Sequence, residues 1–251
     1  MDLSFLNGSI NPFNILRVFK YRHDFRKSHP TYFGQHGLLV FCGSQGSGKT
    51  LSAVQYIREL CSFYPRAILV TNTKISGLPQ YTRVKEYDGI DCLKNIENGI
   101  DGVIYFIDEI HLEFNSLESK NVPIEIMVEI SQQRKQRKHI VGTSQVFMRM
   151  AKPLREQIKN VVICKNYLGC IQYNKLIDGE TATEKDGKLC ADVKKHSVWF
   201  HTPELYGCYD TYAKMRRYRN EWQGVQRQEI YDNTNNLNFN INGKDIKNGI
   251  K

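Results

Sequence analysis

The sequence predicts an α/β fold: a mostly parallel sheet flanked by helices, with a β-hairpin and a helix appended on its C-terminal side. Three observations predict it. The first is Gly43-Ser44-Gln45-Gly46-Ser47-Gly48-Lys49-Thr50, which fits G-x-x-x-x-G-K-[ST] at every fixed position. An apolar run, Gly37 to Cys42, precedes it, and a segment of helical character, Leu51 to Phe63, follows. Strand, glycine loop and helix in that order are the context in which this motif holds phosphate. The second is the run from Gly102 to Ile107, which ends in Asp108-Glu109 about 60 residues further on. Unbroken apolar runs are what strands buried on both faces of a parallel sheet look like. The third is the alternation of such runs with helical segments, which implies parallel strands joined by crossovers.

Element by element, residues 1–36 come before the first core strand. They carry five Lys/Arg, two Asp and three His, with Phe13, Phe19, Tyr21, Phe25, Tyr32 and Phe33 between them. They are expected to strap over the core; a subunit contact or a nucleic-acid contact also suits interleaved basic and aromatic residues. Residues Arg66 to Thr71 read as the second buried strand, and the Gly/Pro-punctuated Ser76 to Pro79 as a loop. A short helix is expected near Cys92 to Asn98, and residues 102–108 form the third strand. Val122, Ile126 and Ile130 recur at spacing four, so residues 122–136 are expected to form one helix. Strands at His139 to Ser144 and Val161 to Cys164 follow, the first delivering Gln145 at its tip. Beyond Lys165 the pattern changes. Gly169 to Ile177 and Leu189 to His201 read as an antiparallel hairpin, and Pro203 opens a helix to about Trp222. The expected domains are therefore a strap (1–36), a core (37–165), a hairpin and helix extension (166–227), and an asparagine-rich flexible tail (228–251).

The chemistry follows from the two motifs. Backbone N–H groups of Gly43, Ser44, Gln45, Gly46, Ser47 and Gly48, with the helix N-terminus behind them, suit an anion. Lys49 is placed to reach the β- and γ-phosphates of a nucleotide, and Thr50 to offer its hydroxyl to Mg²⁺. Asp108 sits at a strand's C-terminal end, where open α/β sheets bind ligands, and is expected to hold Mg²⁺ through water. Glu109 is the candidate base that polarises a water for attack on the γ-phosphate. ATP and Mg²⁺ are the implied substrate and cofactor.

The chain has 251 residues, 41% of them hydrophobic and 24% charged, ordinary for a soluble globular protein. Its net charge of +9 exceeds what a nucleotide site needs and suggests a polyanionic partner, most simply nucleic acid. No apolar run approaches the length of a membrane span, and no secretory signal core is present, so a cytoplasmic location is expected. Seven widely spread cysteines, with no C-x-x-C, do not read as a disulfide framework. Cys164, Cys170, Cys190 and Cys208 with His196 or His201 lack zinc-like spacing.

The two motifs, with the polar Gln145 ending the next strand, resemble the ring-forming P-loop ATPases that use a catalytic glutamate. A narrower resemblance rests on residues 36–50, Ile107-Asp108-Glu109-Ile110-His111, residues 133–139, Thr143-Ser144-Gln145 and Leu154-Arg155. These segments are similar to the zonular-occludens-toxin-like phage ATPases of the FtsK–HerA superfamily, which includes viral genome-packaging motors. Leu205 to Thr211 also resembles a segment of that group. The resemblance covers about residues 36–165, with a weaker echo near 205–212. It implies a strand inserted between the two motif strands, with Gln145 sensing the γ-phosphate from its tip. It also implies a ring of identical subunits in which an arginine from the neighbour completes each site: Arg134 first, then Arg137 or Arg155. The implied activity is ATP-driven translocation of double-stranded DNA, packaging a phage genome, with a capsid portal as a further partner. Members that export filamentous phage carry a membrane helix after the core, which this sequence lacks. An assembly or secretion ATPase with a separate membrane partner is the second reading. A DNA-binding switch with little turnover is the third, and the intact Glu109 argues against it.

Overall fold

The computed structural model describes residues 12–115, 123–185 and 188–209. Its centre is an eight-stranded sheet built from β1 (Gly37–Cys42), β2 (Ile68–Thr71), β3 (Arg83–Glu86), β4 (Val103–Ile107), β5 (Lys138–Ser144), β6 (Ile158–Tyr167), β7 (Ile171–Asp178) and β10 (Val193–Phe200). The order across the sheet is β10-β7-β6-β1-β5-β4-β2-β3. From β3 to β6 every pairing is parallel; β7 and β10 are antiparallel additions. The expected α/β class holds, and β5 lies between β1 and β4 as the resemblance implied. Two short strands, β8 (Thr183–Lys185) and β9 (Lys188–Cys190), pair with each other apart from the sheet.

Strand periodicity divides the core into two layers. Leu38, Val40, Val70, Tyr105 and Ile107 face one side, where Leu93 of α3 (Cys92–Asn95) and Ile126 and Ile130 of α4 (Ile124–Ser131) cover them. Leu39, Phe41, Leu69, Ile104 and Phe106 face the other, against Val54, Ile57 and Leu60 of α2 (Lys49–Phe63). Each such side chain, fully buried, contributes roughly 1.5–3 kcal/mol. The packing fixes the C-terminal ends of β1, β4 and β5 side by side, and the candidate site lies there.

Several elements differ from the sequence expectation. The predicted helix over 122–136 is broken: α4 ends at Ser131, Gln132 caps it, and α5 (Gln133–Gln136) is a separate turn. Val122 lies outside the described residues. Arg137 then takes a left-handed φ of 53° and closes α5. Lys138, although charged, is buried; its ammonium donates to Leu93 O at 2.6 Å and pairs with Glu129 at 3.2 Å. The edge strand β3 was not foreseen because all four of its residues are exposed and carry no apolar rhythm.

The hairpin is not a separate layer. β7 pairs with β10, as expected, but also with β6 over eight residue pairs, so the extension continues the core sheet. The expected boundary at 165/166 falls inside β6. The helix opening at Pro203 is one turn, α6 (Pro203–Tyr206), after which Tyr209 bridges Ile75. Residues 207–209 are not helical, and the rest of that expected helix, with the tail, lies outside the described residues.

At the N-terminal side, α1 (Pro12–Ser28) is largely exposed, and only its continuation straps the core. Phe33 is buried against Gly102, whose φ is 69° and where a Cβ would run into the Phe33 ring. Tyr32 carries the Arg137 guanidinium over its ring at 4.9 Å.

Candidate nucleotide site

The P-loop leaves β1 at Cys42 and re-enters regular structure at Lys49, the first residue of α2. The loop closes on itself: Ser47 N donates to Ser44 O at 3.1 Å, and Gly43 N donates to Ser144 O of β5 at 3.3 Å. A Cβ at Gly43 would fill the space that the Ser47 side chain occupies. Ser47 Oγ is buried and makes no hydrogen bond, as expected of a polar group shaped for an anionic ligand. Lys49 is only 7% exposed, so its ammonium is held over the loop rather than trailing into solvent.

The second motif meets the first as the spacing predicted. Thr50 Oγ1 donates to Asp108 Oδ1 at 3.2 Å. Lys49 Nζ lies 3.9 Å from Glu109 Oε1. Glu109 follows β4 with φ 54°, a left-handed backbone that costs a non-glycine residue of order 1–3 kcal/mol and recurs at functional sites. Its surroundings hold it there. Glu109 N donates to Thr143 Oγ1 at 2.8 Å, and Oε2 lies 3.2 Å from His111 Nδ1.

Residues that the sequence reading did not single out complete the arrangement. Thr143, on β5, donates to Asp108 Oδ1 at 2.6 Å while accepting from Glu109 N, so one hydroxyl sets both acidic residues. Asn72, just beyond β2, grips both backbone polar atoms of Asp108, at 2.9 and 3.0 Å. Gln172 of β7 donates to Ser47 O at 3.0 Å. The signal for Thr143 was a run of three polar residues, 143–145, closing an apolar strand. Asn72 and Gln172 had no motif to mark them.

The two other expected site residues lie at opposite ends of the sheet. Gln145 follows β5 at the same sheet end as the P-loop, and is exposed. Arg134 is on α5, before β5, at the opposite end of the sheet. There it lines a cavity of about 320 Å³ with Tyr21, Arg22, Phe25, Arg26 and Tyr32. β5 separates it from its own P-loop by seven residues, roughly 20 Å at about 3.3 Å per residue.

The sequence profile of the ATPase family associated with various cellular activities (AAA) matches residues 39–165, the segment that carries both motifs. The chain belongs to this AAA family. No curated protein sequence matches it. Among solved structures, the N-terminal domain of zonular occludens toxin from Neisseria meningitidis is similar, with 18% identity, a TM-score of 0.52, and coverage of 70% of this chain and 99% of that one. That similarity bears out the expected resemblance at the level of fold. The genome packaging NTPase B204 of Sulfolobus turreted icosahedral virus 2 aligns at 12% identity and TM-score 0.45, over 67% of this chain and 98% of that one. The ATPase DotB of Legionella pneumophila aligns at 12% identity and TM-score 0.39, over 59% of this chain and 47% of that one.

As an AAA ATPase the chain binds ATP and hydrolyses it. Its residues also fit the metal. Among the described residues no three His, Cys, Asp or Glu side chains gather to hold an ion. The hydroxyl of Thr50 and the carboxylate of Asp108 instead offer hard oxygen donors beside the P-loop, which suits an ion that takes the rest of its shell from phosphate and water. Bound Mg²⁺ would neutralise charge on the β- and γ-phosphates. Lys49 adds a positive charge on the loop side, and Glu109 presents a carboxylate beside that charge.

Proposed function

We propose that this AAA ATPase is a motor that moves double-stranded DNA, working as a ring of identical subunits, and that its cargo is a phage genome. Mg²⁺ is held by Thr50 and Asp108, Glu109 is the base, and Gln145 senses the γ-phosphate. The observation that carries the reading is a basic surface set apart from the nucleotide site. The chain is +9 overall, and residues 131–160 hold eight Lys/Arg against one Glu. Lys138 is internal. Arg134, Lys135 and Lys159 are exposed at the sheet end remote from the P-loop, and Arg149 and Lys152 are exposed on the connection between β5 and β6. Contacts from such residues to phosphate need no base sequence and weaken steeply with salt.

The ring supplies the reason for Arg134. A head-to-tail interface joins opposite faces of adjacent subunits. A residue distant from its own phosphates is therefore suited to reach those of a neighbour. Arg137 is engaged by Tyr32, and the Arg155 guanidinium lies 6.0 Å from the Phe147 ring, which leaves Arg134 the preferred candidate.

The test is steady-state hydrolysis of MgATP with and without duplex DNA of unrelated sequences. Stimulation at low salt that fades towards physiological salt is expected. No binding of DNA by the assembled protein at low salt would overturn the reading.

A further inference from the structure

We infer that Gln172 is a positioning residue for the nucleotide site: it fixes the Ser47–Gly48 peptide of the P-loop and ties it to the segment after β10. The inference deepens the ATPase reading and rests on it.

The side chain of Gln172 is 0% exposed, although it belongs to an antiparallel strand added two places away from β1. A buried amide must have its hydrogen bonds satisfied. Its Nε2 donates to Ser47 O at 3.0 Å, and its Oε1 lies 3.1 Å from His201 Nε2. The amide packs so closely on Gly48 that a Cβ there would collide with Oε1. Gly48 is left-handed, with φ 75°, so glycine is required at this position twice over.

One peptide plane turns this contact into function. Ser47 C=O and Gly48 N–H belong to the same trans peptide and point in opposite directions. Holding the carbonyl towards Gln172 aims the Gly48 N–H away from it. In a glycine loop that opens a helix, the opposite side is where phosphate sits. The neighbouring Asn174 amide and Ser52 hydroxyl, 3.1 Å apart, brace the first turn of α2 from the same strand.

The anchor extends outward. His201 follows β10, and its Nδ1 lies 2.7 Å from Tyr206 Oη, which is itself 2.9 Å from Gly169 O. Because Oε1 of Gln172 only accepts, His201 donates from Nε2, while the single proton of the Tyr206 hydroxyl goes to Gly169 O. Burial holds the His201 pKa below its ordinary value. Just beyond, Cys208 O accepts from Ser76 N at 2.7 Å, so the same segment also grips the loop after β2. P-loop shape and the position of residues 201–209 are thereby one structural unit.

The experiment compares wild-type protein with Gln172→Leu and His201→Ala. Steady-state hydrolysis of MgATP is measured together with the amide resonance of Gly48 in ¹⁵N-labelled protein. Gln172→Leu keeps the volume but leaves Ser47 O unpaired, so KM for ATP should rise about tenfold with kcat within about threefold. The Gly48 resonance should shift while amides in β4 and β5 stay in place. His201→Ala should shift the same resonance and raise KM about threefold, because it loosens the amide without removing it. If Gln172→Leu does not fold, His201→Ala decides by the same readouts. A wild-type KM with an unmoved Gly48 amide overturns the inference, and so does a uniform shift of core amides, which marks a merely structural role. Wild-type protein inert towards ATP would overturn the ATPase reading, and the Gly48 resonance would still decide this one.

Discussion

Lys49, Thr50, Asp108 and Glu109, the four side chains proposed to carry the chemistry, meet at one sheet end, and the Thr143 hydroxyl contacts two of them. Lys49 and Glu109 were legible because each belongs to a spaced motif whose flanking strand is continuous and apolar. Thr143 was not, because a short polar run closing a strand does not say which of its residues contacts the acidic pair. Its role appears only when β5 is seen beside β4. Thr143→Val keeps the shape, removes the donor to Asp108 and the acceptor for Glu109 N, and leaves both without that partner. ATP binding should change little, while kcat falls by about 10- to 100-fold, and Thr143→Ser should restore most of it. Titration with ATP and steady-state kinetics check this. Equal activity of Thr143→Val would show that Thr143 does not set the acidic pair.

At the scale of elements, the buried strands were legible and their partners were less so. β1, β2, β4 and β5 announce themselves as apolar runs. β3 does not, since an exposed edge strand needs no apolar face. β7 reads as a hairpin strand in either setting, because alternation does not say which sheet it joins. His139, at the start of β5, shows how an element can conceal a titratable group. Its Nδ1 donates to Gly37 O at 2.8 Å and its Nε2 accepts from Tyr56 Oη at 3.0 Å, so the neutral ring is fully satisfied. Burial lowers its pKa to about 4 from the ordinary value of 6.5. The unfolded chain then binds a proton that the folded one refuses between those values. Stability from this group is fully present above pH 6.5 and is lost as pH falls towards 4. The loss amounts to about 3 kcal/mol. Urea unfolding of wild type and His139→Gln across that range should show a steeper acid loss in wild type; parallel curves would contradict the assignment.

For the whole molecule, charge and composition indicated a polyanionic partner, but no sequence periodicity reports a subunit interface. The structure adds that Arg134 stands at the sheet end remote from its own P-loop. Arg134→Ala should bind ATP normally and hydrolyse it about 10³-fold more slowly, since neutralising charge matters in the transition state. Glu109→Gln, lacking the base, should also be inactive. Mixed rings of the two should recover part of the activity, because some interfaces pair an intact Glu109 with an intact Arg134. Confirmed co-assembly without recovery would contradict action in trans. The central claim, that ATP turnover at this site drives movement along DNA, is tested most directly by displacement of a third strand from a DNA triplex. Wild-type protein with MgATP should release the strand, and Glu109→Gln should bind DNA and ATP yet release none. Release by Glu109→Gln at the wild-type rate, or hydrolysis by wild type that never releases the strand, would contradict the account.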